Sequence, residues 1–235
     1  MNTTAQAVHS KLDVARGGVM PRQTVAYVMN GFPRLSETFI ANEVYLLERM
    51  GLSLRLFSVK QEGEPTAHPV VDSIRAPLTY LPKSTTLSGT SLPRWLARNL
   101  PRFARASAHV LRRHPVRFAV TLAAALRMSW AYRQSAQGIR LRKVFIKEFL
   151  QAAQIAADVL RSGDVGHLHG HFCHGVATIT WFASRLTGIP FSFTAHAKDI
   201  YQADLNPGDL LERKLDAARF VATCTCANAA VLRER

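Results

Sequence analysis

Three stretches place ionisable or hydroxyl side chains where the chain turns, and they define the chemistry to look for. The first is Ala195–Asp199, A-H-A-K-D, with His196, Lys198 and Asp199 close together among small residues. A neutral imidazole there can donate a hydrogen bond to a hydroxyl or to a leaving-group oxygen. A lone histidine after a strand is equally the pattern of a hydrogen-bonded structural residue. Asp199 has two readings, a cleft residue or an N-cap for the next helix. The second stretch is His167–His174, H-L-H-G-H-F-C-H, four histidines and a cysteine in eight residues. Such density invites a zinc site, but the spacing matches neither H-E-x-x-H nor C-x-x-C, and no metal is expected. His167 and His169 fall on one strand face, with His171 and His174 beyond the glycine. The third is Gly31–Ile40, G-F-P-R-L-S-E-T-F-I. A glycine between a strand and a helix start can offer backbone N–H groups to an anion. The plainer reading is a loop with Ser36 as N-cap, since no G-x-G-x-x-G fingerprint is present.

The elements that must position these residues follow from periodicity. Thr24–Asn30 and Leu54–Val59 are apolar, strand-like runs around a helix from Ser36 to about Met50, which Gly51 ends. That is a βαβ unit, so the sheet is expected to be parallel. A proline-rich connection follows, with a short strand at Ala76–Tyr80. Three helices come next, broken near Pro101, Pro115 and Gly138. Val165–His169 reads as a core strand, Gly175–Leu186 as a helix, and Pro190–Thr194 as the strand that leads into His196. Asn206 or Asp209 caps a further helix, Phe220–Thr225 is another strand, and a last helix starts near Asn228. The count is about five parallel strands, an α/β, Rossmann-like sheet with flanking helices and an inserted basic helical segment at about 83–160.

Three motifs resemble one known family. T-A-H-A-K-D-I-Y at Thr194–Tyr201, H-G-H-F at His169–Phe172 and P-R-L-S-E-T-F-I-A-N-E at Pro33–Glu43 are similar to the N-terminal half of family 4 glycosyltransferases. These are retaining enzymes of the GT-B fold, and the nearest look-alikes build exopolysaccharide of the colanic-acid type. The resemblance covers roughly Val25 to Arg235. It implies that the chain is the N-terminal, acceptor-binding half of a GT-B fold, and that His196 lies beside the reacting sugar. It further implies that Ser36, Glu37, Thr38, His171 and Asp199 face the acceptor cleft, with Gly31 at a backbone cofactor-binding loop. A nucleotide sugar would be the donor substrate and a lipid-linked saccharide the acceptor, with no tightly bound cofactor. Retaining transfer in this family runs through the donor phosphate, so the resemblance does not make His196 a general base. The family's second domain, which carries E-x7-E and most contacts to the nucleotide, has no counterpart here. The chain is therefore expected to be a fragment or a truncated product, inactive alone.

Composition bounds the partners. At 235 residues, with 48% hydrophobic and 20% charged residues, the chain can bury a core and is not disordered. Residues 1–22 are polar and lack a signal-peptide core, which makes them a loose leader to a domain at 23–235. The three cysteines, Cys173, Cys224 and Cys226, are expected to be reduced thiols of a cytoplasmic protein. The net charge is +14, and its excess sits in one block. From Ser73 to Lys147 there are 15 Lys and Arg and no Asp or Glu, interleaved with Trp95, Phe103, Phe118, Trp130 and Phe145. Such a block is either a solvated face or a surface for an acidic partner. Without a nucleic-acid motif, an anionic membrane surface is expected and nucleic acid is not. That would place the protein peripherally on the inner face of the cytoplasmic membrane.

Overall fold

A computed structural model describes residues 24–61, 68–133 and 141–235. The expected leader, 1–22, and the helix break at Gly138 lie outside those residues. The β-branched and aromatic runs form one sheet of six strands: β1 Thr24–Gly31, β2 Leu54–Lys60, β3 Leu78–Tyr80, β4 Val165–His171, β5 Phe191–Ala195 and β6 Val221–Thr223. The order is β3-β2-β1-β4-β5-β6, and every pairing is parallel. From β1 the chain works outward to β3, then returns to β4 and works outward the other way. Loops leaving β1 and β4 therefore diverge, and a crevice opens between them at the carboxyl ends of the strands.

Alternation along the strands sorts two cores. Tyr27, Met29, Leu54 and Leu56 face α1, Thr38–Arg49, and pack on Ile40, Ala41 and Val44. Ala26, Val28, Phe57, Leu168, Phe191 and Phe193 face the other way. That second face is covered by α2 Leu92–Arg113, α3 Pro115–Ala131, α4 Val144–Ser162 and α5 Val176–Thr187. The centre of this layer is α4, which packs against α2, α3 and α5. Its Ala152, Ala153, Ala156 and Ala157 are fully buried, and their small side chains let three neighbours approach. Three short helices complete the fold: α6 Ala197–Tyr201, α7 Leu210–Ala217 and α8 Cys226–Arg233.

Four expectations change. Pro101 does not break a helix; α2 runs through it. The missing N–H frees only the carbonyl of the exposed Ala97, while Trp95, Asn99, Phe103, Ala106 and Val110 hold one buried stripe across the proline. The aromatics do not share the arginines' surface: Trp95, Phe103 and Phe145 are buried, Phe118 is half-buried, and Trp130 is exposed. Ser36 caps nothing. It sits in a 3-10 turn, Leu35–Glu37, and α1 begins after Glu37 without a side-chain cap. Strand β4 runs two residues longer than expected, so His171 lies on it and shares a face with His167 and His169.

Candidate functional site

The crevice between β1 and β4 is where side chains from five elements meet. Tyr27 points from β1 towards α1, and its hydroxyl donates to Glu43 Oε1 at 2.8 Å. The Tyr27 hydroxyl oxygen also lies 2.9 Å from His171 Nδ1, at the end of β4. His171 Nε2 lies 2.8 Å from Nε2 of His196, the residue that follows β5 and precedes α6. His196 Nδ1 then faces Cys224 Sγ, just past β6, at 3.3 Å. One hydrogen-bonded line thus runs Glu43–Tyr27–His171–His196–Cys224, crossing the sheet in strand order from β1 to β6.

Two aromatic rings flank the middle of the line. Phe39, in the first turn of α1, stands 5.6 Å from the His171 ring and 5.2 Å from His196. Phe172 stands 5.3 Å and 5.0 Å from the same rings. Phe172 holds φ at 87°, a left-handed backbone that a bulky side chain rarely adopts. It is fixed there by its own N–H, which donates to the Thr194 carbonyl at 2.9 Å. Strain of this kind persists only where the surroundings over-determine it.

Burial decides the protonation of the line. His171 is fully buried, and its pKa is lowered to about 3 by burial first and by neighbouring imidazoles second. His196 is lowered by burial, with Asp199 and Glu43 opposing. Burial, then the Glu43 charge, pushes the Tyr27 phenol far above its usual value. At neutral pH both rings are uncharged and Tyr27 keeps its proton. His169, lowered to about 4 by burial, bonds Ser192 at 2.8 Å and Thr194 at 3.0 Å. His167 shares the Ser192 hydroxyl at 2.7 Å. Glu43, His169 and His171 each bring one ligand atom within 4.8 Å of the others. The Tyr27 hydroxyl bridges two of the three, so the group is a hydrogen-bond cluster as it stands.

The candidates named from the sequence separate into two sets. His196 and His171 meet directly. Asp199 lies beneath them, almost fully buried, where Oδ1 accepts from the His196 backbone N–H at 2.7 Å and Oδ2 from the Cys173 N–H. Its carboxyl ties the β5–α6 loop to the β4–α5 loop and does not face the cleft. Lys214 extends this support, reaching the Cys173 carbonyl at 2.9 Å and Asn206 at 2.8 Å. Asn206, weighed as a cap, instead donates to the Asp199 carbonyl at 3.0 Å. Ser36 is exposed, Glu37 pairs with Arg34 at 3.2 Å, and Thr38 opens α1. It is the next residue, Phe39, that reaches the histidines. Gly31 is buried at the end of β1, with a 3-10 turn between it and α1. The glycine is therefore not at the helix N-terminus, and the expected anion loop is not formed there.

Tyr27, Glu43, Phe39, Phe172 and Cys224 were not singled out from the sequence. A tyrosine on a buried strand needs a partner for its hydroxyl, and Glu43 is the last residue of the P-R-L-S-E-T-F-I-A-N-E run. Those were the available signals. Two hollows adjoin the site. A groove of about 370 Å³ runs down the sheet face from Tyr27 and Glu43 to Phe220. A larger cavity, about 560 Å³, lies at the N-terminal ends of α4 and α5 and takes in Glu148 and His174.

No protein-family model matches the chain, and no curated protein matches it. Among solved structures, it is similar to a UGT transferase from Siraitia grosvenorii in complex with UDP. The identity is 16% and the TM-score 0.34, over 77% of this chain and 30% of that one. The chain thus spans less than a third of that structure's length. A TM-score this low is a loose likeness, and the α/β class rests on the parallel sheet itself.

Proposed function

We propose that the chain is the acceptor-side domain of a retaining GT-B glycosyltransferase of the family 4 kind. The complete enzyme would move a sugar from a nucleotide donor to a lipid-linked saccharide, in exopolysaccharide or capsule synthesis. The observation that carries this reading is the His196–His171 pair at the crevice where the strand order reverses. That crevice is where open α/β sheets bind their ligands. His196 is half-exposed there, and Phe39 and Phe172 offer ring faces to a sugar. A second domain would supply the nucleotide contacts over the carboxyl ends of the strands.

Helix α3 supports a membrane-held acceptor. Val116, Val120, Leu126 and Trp130 are exposed, with Arg117, Arg127 and Arg133 exposed beside them. An exposed helix face that mixes apolar side chains with arginine suits the inner, anionic face of the cytoplasmic membrane. No helix among the described residues is long and apolar enough to cross a membrane.

The test uses the complete polypeptide encoded by the gene, a panel of nucleotide sugars, and a polyprenyl-diphosphate saccharide in vesicles. Nucleoside diphosphate release with transfer of label to the lipid fraction is the expected result. His196→Ala should lower turnover about a hundredfold while the melting curve is kept. No transfer from any donor overturns the reading, and near-normal turnover of His196→Ala removes that residue from the site.

A further inference from the structure

A line of hydrogen bonds between uncharged groups can point either way, and its direction decides what its open end can do. Here one end is a carboxylate. Glu43 can accept but not donate, so the single proton of Tyr27 points at it, a charge-assisted bond stronger than the alternative. The Tyr27 oxygen can then only accept from His171, which places that ring's proton on Nδ1. Glu43 Oε2 lies 3.9 Å from the same Nδ1, where a proton is favoured and a lone pair is not. His171 Nε2 is left with its lone pair. His196, 2.8 Å away, must donate its Nε2–H to it. Nδ1 of His196 is left as an acceptor, with the weak thiol donor of Cys224 3.3 Å away on the β6 side.

We propose that Glu43 is a positioning residue: acting through Tyr27 and His171, it fixes the tautomer of His196 so that Nδ1, on the β6 side of the ring, is a hydrogen-bond acceptor. The sequence pointed to His196 as a donor, but the N–H it would use is turned inward. A ligand partner at Nδ1 is therefore a group that donates, such as a sugar hydroxyl taking the place of the Cys224 thiol. Phe39 and Phe172 strengthen the effect, because they pack on the buried His171 ring and lower the local dielectric around its bonds. The assignment of tautomers rests on this geometry with both rings uncharged; the step to turnover rests on the glycosyl-transfer reading.

Long-range ¹H–¹⁵N correlation spectra of the histidine-labelled chain test it without substrate, with assignments from His196→Asn and His171→Asn. The expected pattern is a protonated Nδ1 on His171 and a protonated Nε2 on His196. In Glu43→Gln the amide can donate as well as accept, both directions become open, and the two rings shift together towards tautomer averages. A wild-type His196 protonated on Nδ1, or shifts unmoved in Glu43→Gln, overturns the proposal. Should Glu43→Gln fail to fold, judged by its amide spectrum, Tyr27→Phe is read by the same criteria. In the complete enzyme Glu43→Gln should lower kcat about tenfold, the worth of one neutral hydrogen bond, with KM little changed. If the tautomers behave as stated but the wild type transfers no sugar, the functional reading fails and the tautomer assignment stands. If wild-type turnover is present and Glu43→Gln keeps it, the positioning role fails.

Discussion

Gly170 sits between His169 and His171 on β4, and it sets how closely α5 approaches the strand that carries them. Its replacement by alanine is therefore a sensitive probe. A Cβ built at Gly170 meets Thr180 Oγ1 at 2.6 Å and Thr180 Cβ at 3.3 Å. The hydroxyl cannot swing aside freely, because Thr180 is fully buried and donates to the Val176 carbonyl at 2.9 Å. Gly170→Ala must displace that side chain or push α5 off the sheet. Overpacking of this kind costs about 1–3 kcal/mol, offset by up to about 1 kcal/mol from the stiffer unfolded chain. A net loss of about 2 kcal/mol is expected, which lowers Tm by about 4–8 °C in a chain of this size. Thr180→Ala removes the obstructing oxygen at a cost of about 1 kcal/mol for its hydrogen bond. In that background Gly170→Ala should cost close to nothing. Urea titrations of the four proteins close a double-mutant cycle, with an expected coupling of about 2 kcal/mol. Additive losses would refute the reasoning, because the penalty would then not lie in this contact.

Three further outcomes follow from buried polar groups and one proline. Burial pushes the Asp199 carboxyl up, but the neighbouring His174 ring at 3.5 Å and hydrogen bonds from the N–H groups of His196 and Cys173 outweigh it and hold its pKa low. Its contribution to stability is then complete above the usual carboxylate pKa and is lost as pH falls through the lower folded value. Asp199→Asn should cost about 3 kcal/mol at pH 7 and less at pH 3, by urea melts at both. Burial first, opposed by nearby cations, leaves the Glu148 pKa raised, and one of its buried oxygens has no partner. A carboxyl raised in this way loses stability as pH climbs above its unfolded value, so Glu148→Gln should stabilise the chain more at pH 8 than at pH 5. A Tm difference that stays flat with pH would rule this out. Pro101→Ala restores an N–H inside α2 on its exposed face and should raise stability by about 1–3 kcal/mol. No gain in Tm would mean that the helix already bends to accommodate the ring.

The sheet was legible because its strands announce themselves in β-branched and aromatic residues, and because Gly51, Gly163 and Gly188 end helices in left-handed turns. The length of β4 was not, since H-G-H has little strand propensity. His171 joins the sheet because β5 offers it a register partner in Thr194. Pro101 misled for a similar reason: local preference forbids what a continuous buried stripe imposes. The site was half legible. His196 and His171 stand out by residue type, but Tyr27 lies 144 positions from His171 and reads as core. Spacing along a chain cannot reveal partners that only strand order brings together.

Phe172 carries a last consequence. On backbone grounds glycine is the easier residue at a φ of 87°, by about 1–3 kcal/mol. A phenyl ring is held there nonetheless, against three imidazoles, those of His171, His174 and His196. The ring also packs on the core beneath α1, so backbone relief and side-chain packing pull this position in opposite directions. In a library screened for thermal survival, glycine recovered at 172 would show that backbone relief prevails, and an aromatic that the ring's packing does.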